Sequence, residues 1–193
     1  MNRAAFLDRD GVINRKAREG EYVTLWEDVQ ILPGVSEAIA SLNHAGFRVI
    51  VVSNQRCVAK GLIAIADLEI LHERICGVLA SAGAIVDAVY YCPHEKEPRC
   101  RCRKPAPGML LDAARDHDID LSASWMIGDS EADIDAGRAA GCKTALLASG
   151  DRPTIEGLDL VTASLLEAVQ EVLKREQVVA NVRAAVQSPQ GCV

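Results

Sequence analysis

The chain is short of positive charge: among 193 residues, 21 Lys and Arg face 27 Asp and Glu, for a formal net charge of −6. A protein that holds nucleic acid regardless of sequence needs the opposite balance, because its affinity comes from cations displacing counterions from phosphates. No nucleic-acid partner is therefore expected, whereas small anionic substrates remain open through local charge. Also missing is any run near the ~18 apolar residues of a membrane span. No secretory leader is legible, since Arg3, Asp8, Arg9 and Asp10 interrupt the first apolar stretch. These absences predict a cytoplasmic protein with no membrane partner. Repeats and low-complexity segments are lacking too. What is present, 49% hydrophobic and 25% charged residues, is the composition of a globular chain whose length suits one core better than two. The expectation is one domain over residues 1–176, a C-terminal tail over 177–193, and a monomer.

Short β-rich runs alternate with helical patterns. Ala4–Asp8, Arg48–Ser53, Asp87–Tyr91, Ser124–Gly128 and Lys143–Leu147 read as strands, with a weaker one near Leu158–Thr162. Several are apolar almost throughout, the mark of strands covered on both faces. Val35–Ala45, Ala66–Ala82, Pro107–His117, Glu131–Ala140 and Leu165–Lys174 read as helices. In the second of these, Leu68, Leu71, Ile75, Val78 and Leu79 recur at helical steps of one face. Gly46, Gly83 and Gly141 stand where helices end. The pattern predicts an α/β fold: a doubly wound, mainly parallel sheet with no separate cap domain, since the intervals between motifs hold only a strand, a helix and loops.

In such a sheet ligands gather beyond the carboxyl ends of the strands. Four polar clusters follow strands: Asp8-Arg9-Asp10-Gly11, Ser53-Asn54-Gln55, Arg103-Lys104-Pro105 and Gly128-Asp129-Ser130. Two carboxylates spaced by one residue repel and invite a cation. Asp129 would add a third carboxylate, and hard oxygen ligands with room for water favour Mg²⁺. Lys104 is the counterweight that would let a phosphate dianion approach. Taken singly, each cluster could be an ordinary turn or helix cap; their joint occurrence behind apolar strands is what speaks for a site. Asp133 could brace the metal loop or cap a helix.

Three of the seven cysteines fall within eleven positions, in a leaderless chain where disulfides are not expected. Cys92, His94, Cys100 and Cys102 supply three sulfurs and an imidazole, a set that closes a tetrahedral Zn²⁺ site with no position left for water, hence a structural zinc loop. Arg99, Arg101 and Arg103 lie alongside, so the loop can approach an anion. Since Arg103 and Lys104 directly follow the last ligand, zinc would aim both. Cys57, Cys76, Cys142 and Cys192 have no partner at ligand spacing and read as core filler, while His44, His72 and His117 sit on helical stretches without a neighbouring acid and nucleophile and read as having no functional role.

The four clusters resemble the motifs of the haloacid dehalogenase (HAD) superfamily of phosphatases, with the match running from about Ala4 to Leu147. Asp8 to Asn14, Ser53-Asn54-Gln55, Cys92-Pro93-His94 and Cys100 to Pro105 are similar to the branch that acts on heptose bisphosphate or histidinol phosphate. The resemblance implies a HAD-like Rossmannoid fold, Asp8 as nucleophile forming an aspartyl-phosphate, and Asp10 as acid and then base. It also implies Mg²⁺ held by Asp8, the carbonyl of Asp10 and Asp129, with Ser53 and Lys104 binding the phosphoryl oxygens. Glu21, Tyr22, Asn54, Gln55 and Arg103 become candidate contacts to a small sugar phosphate. The expected reaction is removal of the 7-phosphate of a heptose 1,7-bisphosphate; the alternatives are histidinol phosphate or another small phosphomonoester, or a non-catalytic zinc-stabilised binding module. Cys57 departs from the pattern, standing where a glycine is expected.

Overall fold

A computed structural model describes residues 1–96, 100–148 and 158–187, with side chains as far as Val178. Arg99, Cys192 and the end of the expected tail lie outside the described residues. Six strands, β1 (Arg3–Leu7), β2 (Phe47–Asn54), β3 (Ala88–Cys92), β4 (Trp125–Gly128), β5 (Lys143–Leu147) and β6 (Leu160–Thr162), form one sheet. Its order is β3-β2-β1-β4-β5-β6, and every neighbouring pair is parallel. Helices α1 (Val35–His44), α2 (Ile65–Ser81), α3 (Gly108–His117), α4 (Glu131–Ala140) and α5 (Leu165–Gln187) make the crossovers and the final layer.

Alternation along the strands feeds two cores. From β1, Ala5 and Leu7 pack with Ile39 and Leu42 of α1, Leu71 and Ile75 of α2, and Ala168 and Val172 of α5. Ala4 and Phe6 face the other way, toward Met109 and Leu110 of α3 and Ala136 of α4. Both faces are thus covered, which is why β1 and most of β2 are apolar throughout.

Two expectations need correction. Val78 is exposed, because it falls at the edge of the stripe centred on Leu68, Ile75 and Leu79. And α5 continues to Gln187, past Lys174: between Gln177 and Gln187 the sequence has no Gly or Pro to stop it, and Pro189 comes only two residues beyond the helix's end. Strand order reverses between β1 and β4, since the chain winds outward from β1 to β3 and then crosses back to β4. The crevice at that reversal is where side chains from both halves converge.

Candidate active site

Asp8 directly follows β1 and Asp129 directly follows β4, so the two carboxylates flank the crevice. Between them the backbone turns at Gly11, whose φ is +98° and where a Cβ would lie 2.2 Å from Asp129 Oδ2. Only glycine serves there, on conformational and on steric grounds. Lys104 arrives from the segment after β3 and is buried; its Nζ donates to Asp8 Oδ1 at 2.8 Å and to the Val52 carbonyl at 2.7 Å, and lies 2.6 Å from Asp133 Oδ1. Burial disfavours the ammonium, but the charges of Asp8 and Asp133 outweigh it and raise the Lys104 pKa. Burial pushes Asp8 up to about 7, with Asp133 and Asp10 adding and Lys104 opposing.

Asp133 caps a helix, as one of its two expected roles has it, and also meets Lys104. Its Oδ2 accepts from the Ser130 N–H at 3.1 Å, capping α4, while its Oδ1 pairs with Lys104. Among the described residues, Asp129 Oδ1 is a buried oxygen with no hydrogen-bond donor, and Asp133 Oδ1 has only the Lys104 ammonium beside it. Asp8, Asp129 and Asp133 each offer an oxygen, all within 4.8 Å of one another. Hard acceptors converging in a buried crevice, one of them without a donor, fit a divalent cation. Lys16, not singled out from the sequence, sets its Nζ 2.7 Å from Asp129 Oδ2.

Asp10 is enclosed by donors. Arg9 Nε and Nη2 reach Oδ1 at 3.2 and 2.9 Å, and Nη2 reaches Oδ2 at 2.8 Å. Asn14 Nδ2 donates to Oδ1 at 2.9 Å and Gln55 Nε2 to Oδ2 at 3.0 Å. Gln55 also donates to Ser53 Oγ at 2.8 Å, and the buried Cys57 thiol lies 3.4 Å from Gln55 Oε1, orienting the amide. Cys57, where glycine was expected, therefore backs this network. Asn54 engages both ends of its amide with the Lys104 backbone: Nδ2 donates to the carbonyl and Oδ1 accepts from the N–H, each at 3.1 Å. It reaches the site through Lys104.

Around this floor lies a cavity of about 900 Å³ lined by Asp8, Asp10, Glu21, Tyr22, Arg103 and Asp129 among others. Lys16 and Lys96 line it as well, cations that sequence spacing did not mark. Arg103 Nη1 is 3.4 Å from the His94 carbonyl, tying it to the cysteine loop, and the Lys60 ammonium sits 5.2 Å from the Tyr22 ring centre.

The cysteine loop gathers as expected. Cys100 Sγ lies 3.6 Å from Cys92 Sγ and 3.5 Å from Cys102 Sγ, and His94 Nδ1 lies 3.3 to 3.6 Å from all three sulfurs. Such spacings are those of the edges of a small tetrahedron, too long for a disulfide and suited to a soft, four-coordinate ion.

Arg9 and His72 escaped the sequence reading. A signal for Arg9 was its place between two carboxylates; for His72 it was four residues after Leu68, on the buried stripe of α2.

Residues 101–171 match the model of the HAD-hydrolase-like family. A D-glycero-D-manno-heptose-1,7-bisphosphate 7-phosphatase of Thermosynechococcus vestitus is 44% identical over 158 residues, covering 76% of this chain and 79% of the relative. A D-glycero-beta-D-manno-heptose-1,7-bisphosphate 7-phosphatase of Pseudomonas aeruginosa is 38% identical, covering 83% and 89%. The crystal structure of the D,D-heptose 1,7-bisphosphate phosphatase of B. bronchiseptica, complexed with magnesium and phosphate, superposes with a TM-score of 0.79 at 36% identity over 90% of this chain and 99% of that one.

Proposed function

The chain belongs to the HAD-like family of D-glycero-D-manno-heptose-1,7-bisphosphate 7-phosphatases, and from that membership we propose that it hydrolyses the 7-phosphate of a heptose 1,7-bisphosphate. Asp8 carries the reading: a buried carboxylate at the end of β1, on the floor of a substrate-sized cavity, paired with Lys104 and near Asp129, whose buried Oδ1 has no hydrogen-bond partner among the described residues.

Asp8 attacks phosphorus and forms an aspartyl-phosphate, dividing one hard hydrolysis into two displacements. Asp10 gives a proton to the departing sugar oxygen and then takes one from the water that cleaves the intermediate. The donors around Asp10 face the carboxylate it becomes when the proton leaves. Lys104 and Ser53 bind the transferring phosphoryl oxygens. Asp8, Asp129 and the Asp10 carbonyl would hold Mg²⁺, with Asp133 alongside; when bound, it neutralises charge that builds on the phosphoryl group. Cys92, His94, Cys100 and Cys102 would hold Zn²⁺, which fixes the loop leading to Arg103 and Lys104. Glu21, Tyr22, Gln55 and Arg103 surround the sugar, with Asn54 acting through Lys104. The chain acts as a cytoplasmic monomer; light scattering at a mass of one 20.7 kDa chain checks the oligomeric state.

Phosphate release from heptose 1,7-bisphosphate tests the activity, with Asp8→Asn as control. Turnover should fall by at least ~10³-fold in the variant, as expected when a covalent nucleophile is lost. Unchanged turnover would remove Asp8 from the mechanism. A tenfold preference in kcat/KM for histidinol phosphate would move the substrate to that molecule.

A further inference from the structure

Arg9 is 1% exposed, and its guanidinium is the only cation in contact with Asp10 among the described residues. It has five donor hydrogens and no acceptor, so each of its buried nitrogens needs an acceptor. Nε and Nη2 find Asp10, and Nη2 also lies 3.4 Å from the Val23 carbonyl. Nη1 has one partner among the described residues: His72 Nε2, at 3.1 Å. Because arginine can only donate, that ring nitrogen must accept, which requires neutral imidazole. Burial first, and the Arg9 charge second, hold His72 near 4, so it is neutral under ordinary conditions.

Among the described residues the surroundings offer Arg9 Nη1 no substitute for His72. The space behind the pair is lined by Ile13, Val51, Ile75, Leu79, Val86 and Val89, with Cys76, and has a free volume of only about 10 Å³. Tyr91 packs against the His72 ring with centres 5.5 Å apart, fixing its tilt. If the imidazole nitrogen were lost, Nη1 would be left buried without an acceptor, and the guanidinium would rotate to find one. A planar, rigid fork cannot rotate at one corner without withdrawing the other two from Asp10.

We propose that His72 is a positioning residue for the phosphoryl-transfer reaction: by accepting from Arg9 Nη1 it sets the guanidinium plane that holds Asp10 toward the leaving oxygen. It never touches substrate. The chain of contacts runs from α2 through Arg9 to the carboxyl, and through the Val23 carbonyl the same guanidinium steadies the segment carrying Glu21 and Tyr22. The proposal rests on the reading of Asp10 as proton donor.

The leaving group separates this role from a general loss of stability. kcat/KM reports steps up to transfer of phosphorus to Asp8, so a proton donor matters to it only where the departing oxygen needs a proton. The 7-oxygen of heptose 1,7-bisphosphate does; the p-nitrophenolate of p-nitrophenyl phosphate departs as a stable anion. His72→Leu should lower kcat/KM at least tenfold for the bisphosphate and less than threefold for p-nitrophenyl phosphate. His72→Gln, which keeps an acceptor, should restore the bisphosphate value to within about threefold of the starting enzyme. Asp10→Asn gives the reference: the same selectivity, larger. His72→Phe is the second acceptor-free variant, and near-ultraviolet circular dichroism identifies the one that keeps native packing. Equal losses on both substrates in a folded variant, or no rescue by glutamine, would overturn the positioning role. If Asp10→Asn itself loses both substrates alike, Asp10 is not the donor, and the proposal falls with that reading; if neither substrate is hydrolysed by the starting enzyme, the fault lies in the phosphatase assignment.

Discussion

At the scale of single residues, the site depends on what is absent at Gly11 as much as on what is present around it. Its φ of +98° lies outside what a side chain tolerates, and a Cβ there would overlap the carboxylate of Asp129. Strain of that kind costs on the order of 1–2 kcal/mol before any collision is counted. Gly11→Ala should therefore displace Asp129 and reduce turnover far more than it reduces stability, with kcat falling by about tenfold to a hundredfold, since a 1 Å misplacement in a reacting site costs that much. Steady-state kinetics beside a thermal melt check it, and a loss confined to the melting temperature would refute it. Gly11 was legible in the sequence only as the close of the Asp8-Arg9-Asp10-Gly11 cluster; the demand that the Asp129 carboxylate makes on it was not. The clamp on Asp10 was not, because Arg9 and His72 lie 63 positions apart and only the packing of α2 on the sheet brings them together.

At the scale of elements, the strands and helices up to β5 were legible to within a residue or two, because apolar runs and terminal glycines bound them. The end of α5 was not, because its apolar periodicity fades after Glu176 while the first residue that stops a helix, Pro189, comes only two residues past Gln187. How α5 is held also escaped the sequence. Glu176 accepts from Lys143 Nζ at 2.7 Å and from Trp125 Nε1 at 3.4 Å, and Arg3 Nη1 lies 3.5 Å away. Those residues open β5, β4 and β1, so one carboxylate pins the helix across the amino ends of three strands, opposite the reacting edge. Burial opposes its charge, but Lys143, Trp125 and Arg3 outweigh this and lower its pKa. A depressed carboxyl pKa contributes stability above the unfolded value and loses it as pH falls through the folded one. Glu176→Gln should cost ~1 kcal/mol at neutral pH, the size expected of a partly buried charge-assisted pair. The difference from the parent should shrink as pH drops below about 4, the ordinary glutamate range. Urea unfolding at pH 7 and pH 3.5 measures both, and a gap that persists in acid would count against the ion pairs. Phosphatase activity should be unaffected, since the pin lies at the far edge of the sheet.

At the scale of the whole molecule, two layers of chemistry meet along one edge of the sheet. The sequence revealed them unequally. Four ligands within eleven residues specify their own geometry, so Cys92, His94, Cys100 and Cys102 could be read as a site before any fold was known. Lys16 and Lys96 could not, since only the folded chain places them on the cavity wall. The two layers are joined mechanically. The Arg101 carbonyl accepts from the Gly108 N–H at 3.0 Å, Arg103 leans on the His94 carbonyl, and Asn54 holds Lys104 by its backbone. Loosening the loop therefore frees Arg103 at once but leaves Lys104 held by Asn54, Asp8 and Asp133. Cys92 is unsuited to testing this, being fully buried in the core under α3, whereas Cys102 is only partly buried. Cys102→Ser should abolish stoichiometric zinc, by metal analysis, and open the 92–102 loop to limited proteolysis. Because Arg103 would be released while the floor stays in place, KM for the bisphosphate should rise about tenfold, while kcat changes less than threefold; loss of one charge-assisted contact, ~1.5–3 kcal/mol, sets that scale. A collapse of kcat with KM unchanged would mean instead that the loop holds Lys104, and that the Asn54 clamp is too weak to keep it in place.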